Sequence, residues 1–129
     1  MEPREILEKY KRIAVVGLSS NPRRPSHGVA DYMARHGYEI TPVNPNETEV
    51  LGRKSYASLR DVPPPVEIVD IFRVSSAVPG IVEDAIACGA KVIWTQLGVI
   101  HEEAAERARA AGLAVVMDKC IKIEHAVQW

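Results

Sequence analysis

Short apolar runs rich in β-branched residues alternate along the whole chain with segments that have helical periodicity. The runs are IAVVG, YEITPVNPN, VEIVDIFRV, KVIWTQLG and LAVVMD, which begin at residues 13, 38, 66, 91 and 113. Most of them are too apolar for a strand with one face in water, so they predict a parallel sheet that helices cover on both faces. This alternation constrains the fold more than any other feature of the sequence.

The segments between the runs carry helical spacing and recognisable start or stop signals. One helix is expected around residues 6–10, and a second between Ser26, as its N-cap, and Gly37, as its stop. Two more are expected over residues 79–88 and 101–112, while a proline-rich connector precedes the third strand. We therefore predict one α/β domain over residues 1–129, doubly wound and Rossmann-like, with a five-stranded, mainly parallel sheet in the strand order 3-2-1-4-5.

Charge and cysteine content exclude several classes of protein. The net charge of the 129 residues is -1 and the basic residues form no run longer than a pair such as Arg23-Arg24, so nucleic acid is not an expected partner. Cys88 and Cys120 are too few for a disulfide framework and too far apart for a zinc motif. Since there is also no apolar stretch of about 18 residues, we expect a cytoplasmic protein without membrane contact.

The segment VGLSSNPRRPS, residues 16–26, links the first strand to the second helix, where a nucleotide-binding protein keeps its phosphate loop. It holds one glycine, Gly17, where a dinucleotide fingerprint has three. The second strand ends in Val43-Asn44-Pro45-Asn46, without the acidic residue that would hold a ribose. The glycine, lysine and hydroxyl ending of an ATP-hydrolysing P-loop is absent too. NAD and ATP are therefore disfavoured.

The same loop nevertheless offers groups that bind phosphate. It supplies short polar side chains, backbone N–H groups expected to be free, a helix N-terminus and two guanidinium groups, the side chains being those of Ser19, Ser20, Asn21, Arg23, Arg24 and Ser26. This set suits a polyphosphorylated ligand that is bound without a metal. The alternative is that a loop of such residues is only a solvated turn.

Several ordered segments resemble the small CoA-binding proteins whose single domain is similar to the N-terminal domain of the succinyl-CoA synthetase alpha subunit. The resemblance runs from about Ile13 to Glu124. Its carriers are VGLSSNPRRPS, GYEITPVNP, LG at 51–52, YASLRDVP, VDIFR, AIACGAKVIWTQLGV and AGLAVVMDKC. It implies a Rossmann-like domain with CoA lying across the carboxyl edge of the sheet.

The resemblance also implies which residues bind CoA. Gly17, Ser19, Ser20 and Asn21 would meet the phosphates, and the ends of the second, third and fourth strands would meet the rest of the ligand, through Val43, Asn44, Pro45, Ile71, Phe72, Arg73, Trp94, Thr95 and Gln96. Phe72 offers an apolar face to adenine, and Arg23, Arg24 or Arg73 offers charge to the ribose phosphate. The alternatives are that Phe72 is a core residue and Arg73 a surface charge.

The resemblance leaves the activity open. The phosphohistidine of the synthetase belongs to a second domain with no counterpart in these 129 residues, so we expect binding of CoA or acyl-CoA without catalysis by this chain alone. One alternative is a CoA-binding subunit of an acyl-CoA synthetase-like enzyme that another chain completes. The other is a redox or regulatory protein that uses Cys120. The tail with Val127 and Trp129 offers apolar surface to a protein partner or, in a homo-oligomer, to a second copy of the chain, and the oligomeric state stays open.

The histidines do not form a metal or catalytic motif. His101-Glu102-Glu103 resembles the start of a zinc-protease motif, but Ala105 stands where the second histidine is needed. His101 is therefore expected to begin a helix, and no metal or catalytic residue is predicted. His27 lies at the predicted phosphate site, either as an anion contact or as an exposed first-turn residue.

Overall fold

The computed structural model describes residues 1–128, so Trp129 and its predicted role in the tail lie outside the described residues. The elements are α1 (Pro3–Lys9), β1 (Arg12–Val16), α2 (Pro25–Arg35), β2 (Glu39–Val43), β3 (Glu49–Val50), β4 (Arg53–Lys54), β5 (Ile68–Ile71), α3 (Val78–Ala87), β6 (Val92–Thr95), α4 (Glu102–Ala110), β7 (Ala114–Val116) and α5 (Ile121–Gln128), with 3₁₀ turns at Leu59–Asp61 and Ser75–Ala77. Within that range no helix is both long and apolar enough to cross a membrane.

The main sheet has five strands, all parallel, in the order β2-β1-β5-β6-β7. The predicted fold class is confirmed, but the predicted order 3-2-1-4-5 is wrong, because the third long strand, β5, pairs with β1 rather than β2. The outer edge of β2 is already occupied by the returning chain: the N–H of Tyr56 donates to Pro42 O at 3.1 Å, and that of Asn44 donates to Tyr56 O at 2.8 Å. The pattern of apolar runs does not encode this pairing.

Helices cover both faces of the sheet. Core residues of α1, α2 and α5 pack on the face that carries Val15 and Trp94, and those of α3, α4 and the Leu59 turn pack on the face that carries Val16 and Val69. The central strands β1, β5 and β6 are buried along nearly their whole length. Burial on both faces accounts for the unbroken apolar runs in the sequence.

The carboxyl ends of β1 and β5 form the point at which the chain reverses its winding. After β1 the chain enters α2 on one face, and after β5 it enters α3 on the other, so a crevice opens between the two strand ends. Gly17 lies in that crevice with φ +92°, and a Cβ built there would lie 2.3 Å from the carbonyl oxygen of Phe72. A glycine is therefore required for the two chain segments to approach this closely.

Two elements are not anticipated by the sequence patterns. The hairpin β3–β4 turns through Leu51 and Gly52, both at positive φ, a conformation that leucine seldom adopts. The helix α5 is short, and its apolar residues Ile121 and Ile123 alternate like those of a strand. Because α5 packs on α1 and α2, tertiary contacts rather than local pattern stabilise it.

Candidate functional site

A large cavity opens at the carboxyl edge of the sheet, where β1, β2, β5 and β6 end. Its volume is about 840 Å³, and its lining comprises Gly17, Ser19, Arg24, Pro25, Ser26, Val29, Asn44, Asn46, Glu47, Phe72, Arg73, Val74, Gln96, Leu97, Val99 and Cys120. Polar and charged groups come mainly from the loop after β1 and the segment after β2. Apolar groups come mainly from the segments after β5 and β6.

A second cavity of about 430 Å³ adjoins the first on the other face of the sheet. It is lined by Val16, Gly17, Val43, Asn44, Pro45, Asn46, Ala57, Ser58, Leu59, Arg73, Ile81 and Asp84. Since Gly17, Asn44, Asn46 and Arg73 line both cavities, the two adjoin at the winding reversal point. We call the pair the edge cleft.

Most amides of the loop after β1 are not free, contrary to the prediction. The Ser19 N–H donates to Ser26 Oγ at 3.1 Å, and the Asn21 N–H donates to Ser19 Oγ at 3.0 Å. The Ser20 N–H donates to Glu47 Oε2 at 2.8 Å. Serine and asparagine side chains satisfy local backbone donors, so the residue types that suggested a phosphate loop also close it on itself.

The start of α2 faces the large cavity without a side-chain cap. Arg24 occupies the N-cap position, Pro25 follows it, and the Arg24 side chain forms no capping hydrogen bond within residues 1–128. Ser26, predicted as the N-cap, is instead a buried residue within the first turn, where its hydroxyl holds the loop. An uncapped helix start carries partial positive charge and donors that suit an anion.

Two of the three candidate arginines meet at the large cavity. Arg24 and Arg73 line it from opposite sides of the crevice, and within residues 1–128 neither forms an ion pair. Arg23 is exposed and lines neither cavity. Phe72 is half-buried, because one part of its side chain packs against the core and another part lines the cavity. The predicted ligand contact and the alternative of a core residue therefore each describe part of its surface.

The segment after β2 is tied to the loop after β1. The side-chain amide of Asn44 donates to Leu18 O at 3.0 Å, and its oxygen accepts the Asn46 N–H at 2.9 Å. Val43 and Pro45 line the smaller cavity. Asn44 therefore fixes the base of the loop at Leu18, and it lines both cavities.

Of the predicted residues, Gly17, Ser19, Arg24, Ser26, Val43, Asn44, Pro45, Phe72, Arg73 and Gln96 line the edge cleft, and Ser20, Asn21, Arg23, Ile71, Trp94 and Thr95 do not. The side chains of Ile71 and Trp94 have no exposed surface, and Trp94 Nε1 donates to Lys119 O at 2.8 Å. Thr95 is 1% exposed, and its hydroxyl donates to Val99 O. These three side chains hold the strand ends and do not reach the cleft.

Several residues of the cleft are not found by the sequence analysis. Asn46 and Glu47 follow β2, Val74 follows β5, and Leu97 follows β6. The signal that identifies them is their position directly beyond a parallel strand, since all such ends meet at one edge. Cys120 also lines the large cavity, between Lys119 and Lys122 in sequence, and its redox role stays a prediction.

The remaining candidate groups have structural contacts. The ring nitrogen Nδ1 of His101 accepts the Ala104 N–H at 3.1 Å, so His101 caps α4 as expected. Over residues 1–128 there is no group of three or more histidine, cysteine, aspartate or glutamate side chains able to hold a metal ion. In the cleft, the hydrogen bond from Ser20 lowers the pKa of Glu47, so this carboxylate is charged at neutral pH.

Comparison with known proteins agrees with the family expected from the sequence. Residues 11–126 match the CoA binding domain family. The uncharacterized protein YneT of Bacillus subtilis (strain 168) is 48% identical over 126 residues, which cover 98% of this chain and 93% of YneT. The structure of a hypothetical protein from Pyrococcus horikoshii OT3 superposes with a TM-score of 0.94 at 45% identity, over 97% of this chain and 88% of that one.

A more distant relative is an enzyme subunit. The alpha subunit of the ADP-forming acetate–CoA ligase I of Pyrococcus furiosus is 29% identical over 128 residues, which cover 87% of this chain. The matched part is only 28% of the ligase subunit's own length. The match of the family to nearly the whole chain decides the assignment: the protein belongs to the CoA binding domain family.

Proposed function

We propose that this protein binds CoA or an acyl-CoA in the edge cleft. The observation that carries the proposal is the meeting of two unpaired guanidinium groups, Arg24 and Arg73, with the uncapped start of α2 in one large cavity. Two guanidinium groups and a helix start at one cavity suit a ligand with several phosphates, and the Glu47 carboxylate lines the same cavity. Membership of the CoA binding domain family supports CoA as that ligand.

The distribution of polarity in the cleft supports an orientation for the ligand. The phosphates meet Arg24, Ser26 and Arg73, and the pantetheine arm lies on the apolar surface of Phe72 and Leu97. Leu97 is 61% exposed, which leaves apolar surface for the arm to cover. CoA combines these two chemistries in one molecule.

Titration calorimetry with CoA, dephospho-CoA and NAD tests the proposal. We expect CoA to bind more tightly than dephospho-CoA, because the additional phosphate meets an arginine, and NAD to bind least. Absence of CoA binding, or NAD binding that is tighter than CoA binding, would contradict the proposal.

The arginines give a sharper prediction. We expect Arg24→Ala and Arg73→Ala each to weaken CoA binding by about tenfold or more, since each removes a charge-assisted contact to phosphate. Both should also reduce the salt dependence of the affinity. Arg23→Ala is the matched control, because it removes the same charge from the neighbouring position outside the cleft. Equal effects of Arg23→Ala and Arg24→Ala would place the phosphates elsewhere.

A second candidate is a subunit that supplies the CoA site to an enzyme completed by another chain. The observation in its favour is the match to the ligase alpha subunit, of which this chain covers 28%. Affinity purification of the tagged chain from its host's lysate, followed by an assay for ATP-dependent formation of a CoA thioester, tests this candidate. A partner chain that brings this activity supports it, and a chain that elutes alone without activity contradicts it.

A further inference from the structure

A carboxylate accepts a hydrogen bond from the Ser20 N–H, one of the loop amides predicted to bind phosphate. Glu47 Oε2 accepts the Ser20 N–H at 2.8 Å, and the same side chain lines the large cavity with Arg24 and Arg73. A backbone N–H that holds a carboxylate is a donor suited to a phosphate oxygen as well. The protein therefore carries an anion of its own at the tip of the loop.

The segment around Glu47 is arranged to present this carboxylate. The Glu47 N–H donates to Asn44 O at 3.2 Å, which closes a turn directly after β2. Asn44 holds the base of the loop through Leu18 O, and Glu47 holds its tip through Ser20. Two contacts from one turn thus hold the loop, at Leu18 and at Ser20, and the acceptor at Ser20 is a carboxylate.

Resting on the proposed binding of CoA, we propose that Glu47 sets the affinity of the edge cleft by competing with a ligand phosphate for the Ser20 amide and the charge of the arginines. The Glu47 carboxylate holds the loop through the Ser20 N–H. A phosphate that approaches Ser20 either displaces this carboxylate or remains beside it. Displacement breaks the hydrogen bond between Glu47 and Ser20, and coexistence brings two negative charges together, so both cost binding free energy.

The test compares Glu47→Gln with the wild type by titration calorimetry with CoA. The amide oxygen of glutamine still accepts the Ser20 N–H, so the variant removes the charge and keeps the contact. We expect CoA to bind about fivefold more tightly, the scale of one contact between unit charges in water. Glu49→Gln is the matched control, since it makes the same charge change at an exposed position on β3 outside the cleft. Its affinity should equal that of the wild type.

Other outcomes distinguish failure of this inference from failure of the proposed function. Unchanged or weaker binding by Glu47→Gln, together with weaker binding by Glu47→Ala, would identify Glu47 as a brace for the loop and overturn the competition. Wild-type protein without affinity for CoA would overturn the proposed function. In that case inorganic pyrophosphate serves as the probe: binding that is tighter in Glu47→Gln than in Glu49→Gln upholds the competition, and equal binding overturns it.

Discussion

Gly17→Ala is expected to lower the free energy of unfolding by about 2–5 kcal/mol, the sum of a left-handed backbone cost and of steric overlap. The glycine has φ +92°, and an added Cβ would lie 2.3 Å from Phe72 O and 3.1 Å from Arg73 Cδ. The nearest of these atoms belongs to the backbone, so it cannot move aside by rotating a side chain. Relief requires β1 and β5 to separate at their carboxyl ends.

Gly112→Ala separates the two costs of the Gly17 substitution. Gly112 has the same φ, +92°, but no atom lies within 4 Å of the position of its added Cβ. We therefore expect Gly112→Ala to cost only the backbone part, about 1–2 kcal/mol. Urea unfolding of both variants measures the difference. Equal losses would show that the contact with Phe72 does not restrict position 17.

The Gly17 substitution should also affect the ligand site. Phe72 and Arg73 line the large cavity, and the overlap pushes on both residues. We expect Gly17→Ala to lose CoA binding at temperatures where the variant is still folded, whereas Gly112→Ala retains it. A folded Gly17→Ala variant with wild-type affinity would contradict the position of the ligand in the edge cleft.

Gly17 illustrates how far the sequence predicts this fold. A glycine at the end of an apolar run predicts a tight turn, and that turn is present at positive φ. The contact with Phe72 follows only from the pairing of β1 with β5, which the run pattern leaves open. The strand pairing depends on whether the outer edge of β2 is free. Here the backbone at Tyr56 occupies that edge, and the pattern of apolar runs does not show this contact.

The candidate site was predictable to the same degree. Parallel strands place all their carboxyl ends at one edge, so the predicted strand-end segments line the edge cleft. Successive residues along a strand point to opposite faces of the sheet. A resemblance between segments assigns Ile71 and Phe72 to the site together, although only Phe72 reaches the large cavity. The contact between Glu47 and Ser20 joins two irregular loops, which have no periodicity to read.

Asp70 gives the second large prediction. It is 1% exposed, lies in register between Val15 and Trp94 on the central strand β5, and neither of its oxygens has a hydrogen-bond partner among the described residues. Burial raises the pKa of this carboxyl well above the ordinary value of 3.8. Between the unfolded and the folded pKa, the folded protein therefore holds a proton that the unfolded chain releases.

The sign of the resulting pH dependence follows from this raised pKa. Below the pKa of Asp70 in the unfolded chain, about 4, both the folded and the unfolded states hold the proton. The contribution of the protonated group to the free energy of unfolding is then at its maximum. As the pH rises toward the folded pKa, the unfolded state alone releases the proton, and the free energy of unfolding falls by about 1.4 kcal/mol per pH unit. Asp70→Asn removes this slope, because the amide does not titrate.

Urea unfolding of the wild type and Asp70→Asn between pH 4.5 and pH 8 measures the effect. The stability advantage of Asp70→Asn should grow with pH, and Asp61→Asn, the same change at an exposed site, should show none. His125 acts in the opposite direction, since burial lowers its pKa below 6.5 and its protonation destabilises the fold as the pH falls. The wild type and Asp70→Asn both contain His125, so its contribution cancels when their free energies of unfolding are subtracted. A difference that is constant with pH would mean that Asp70 is ionised in the folded protein.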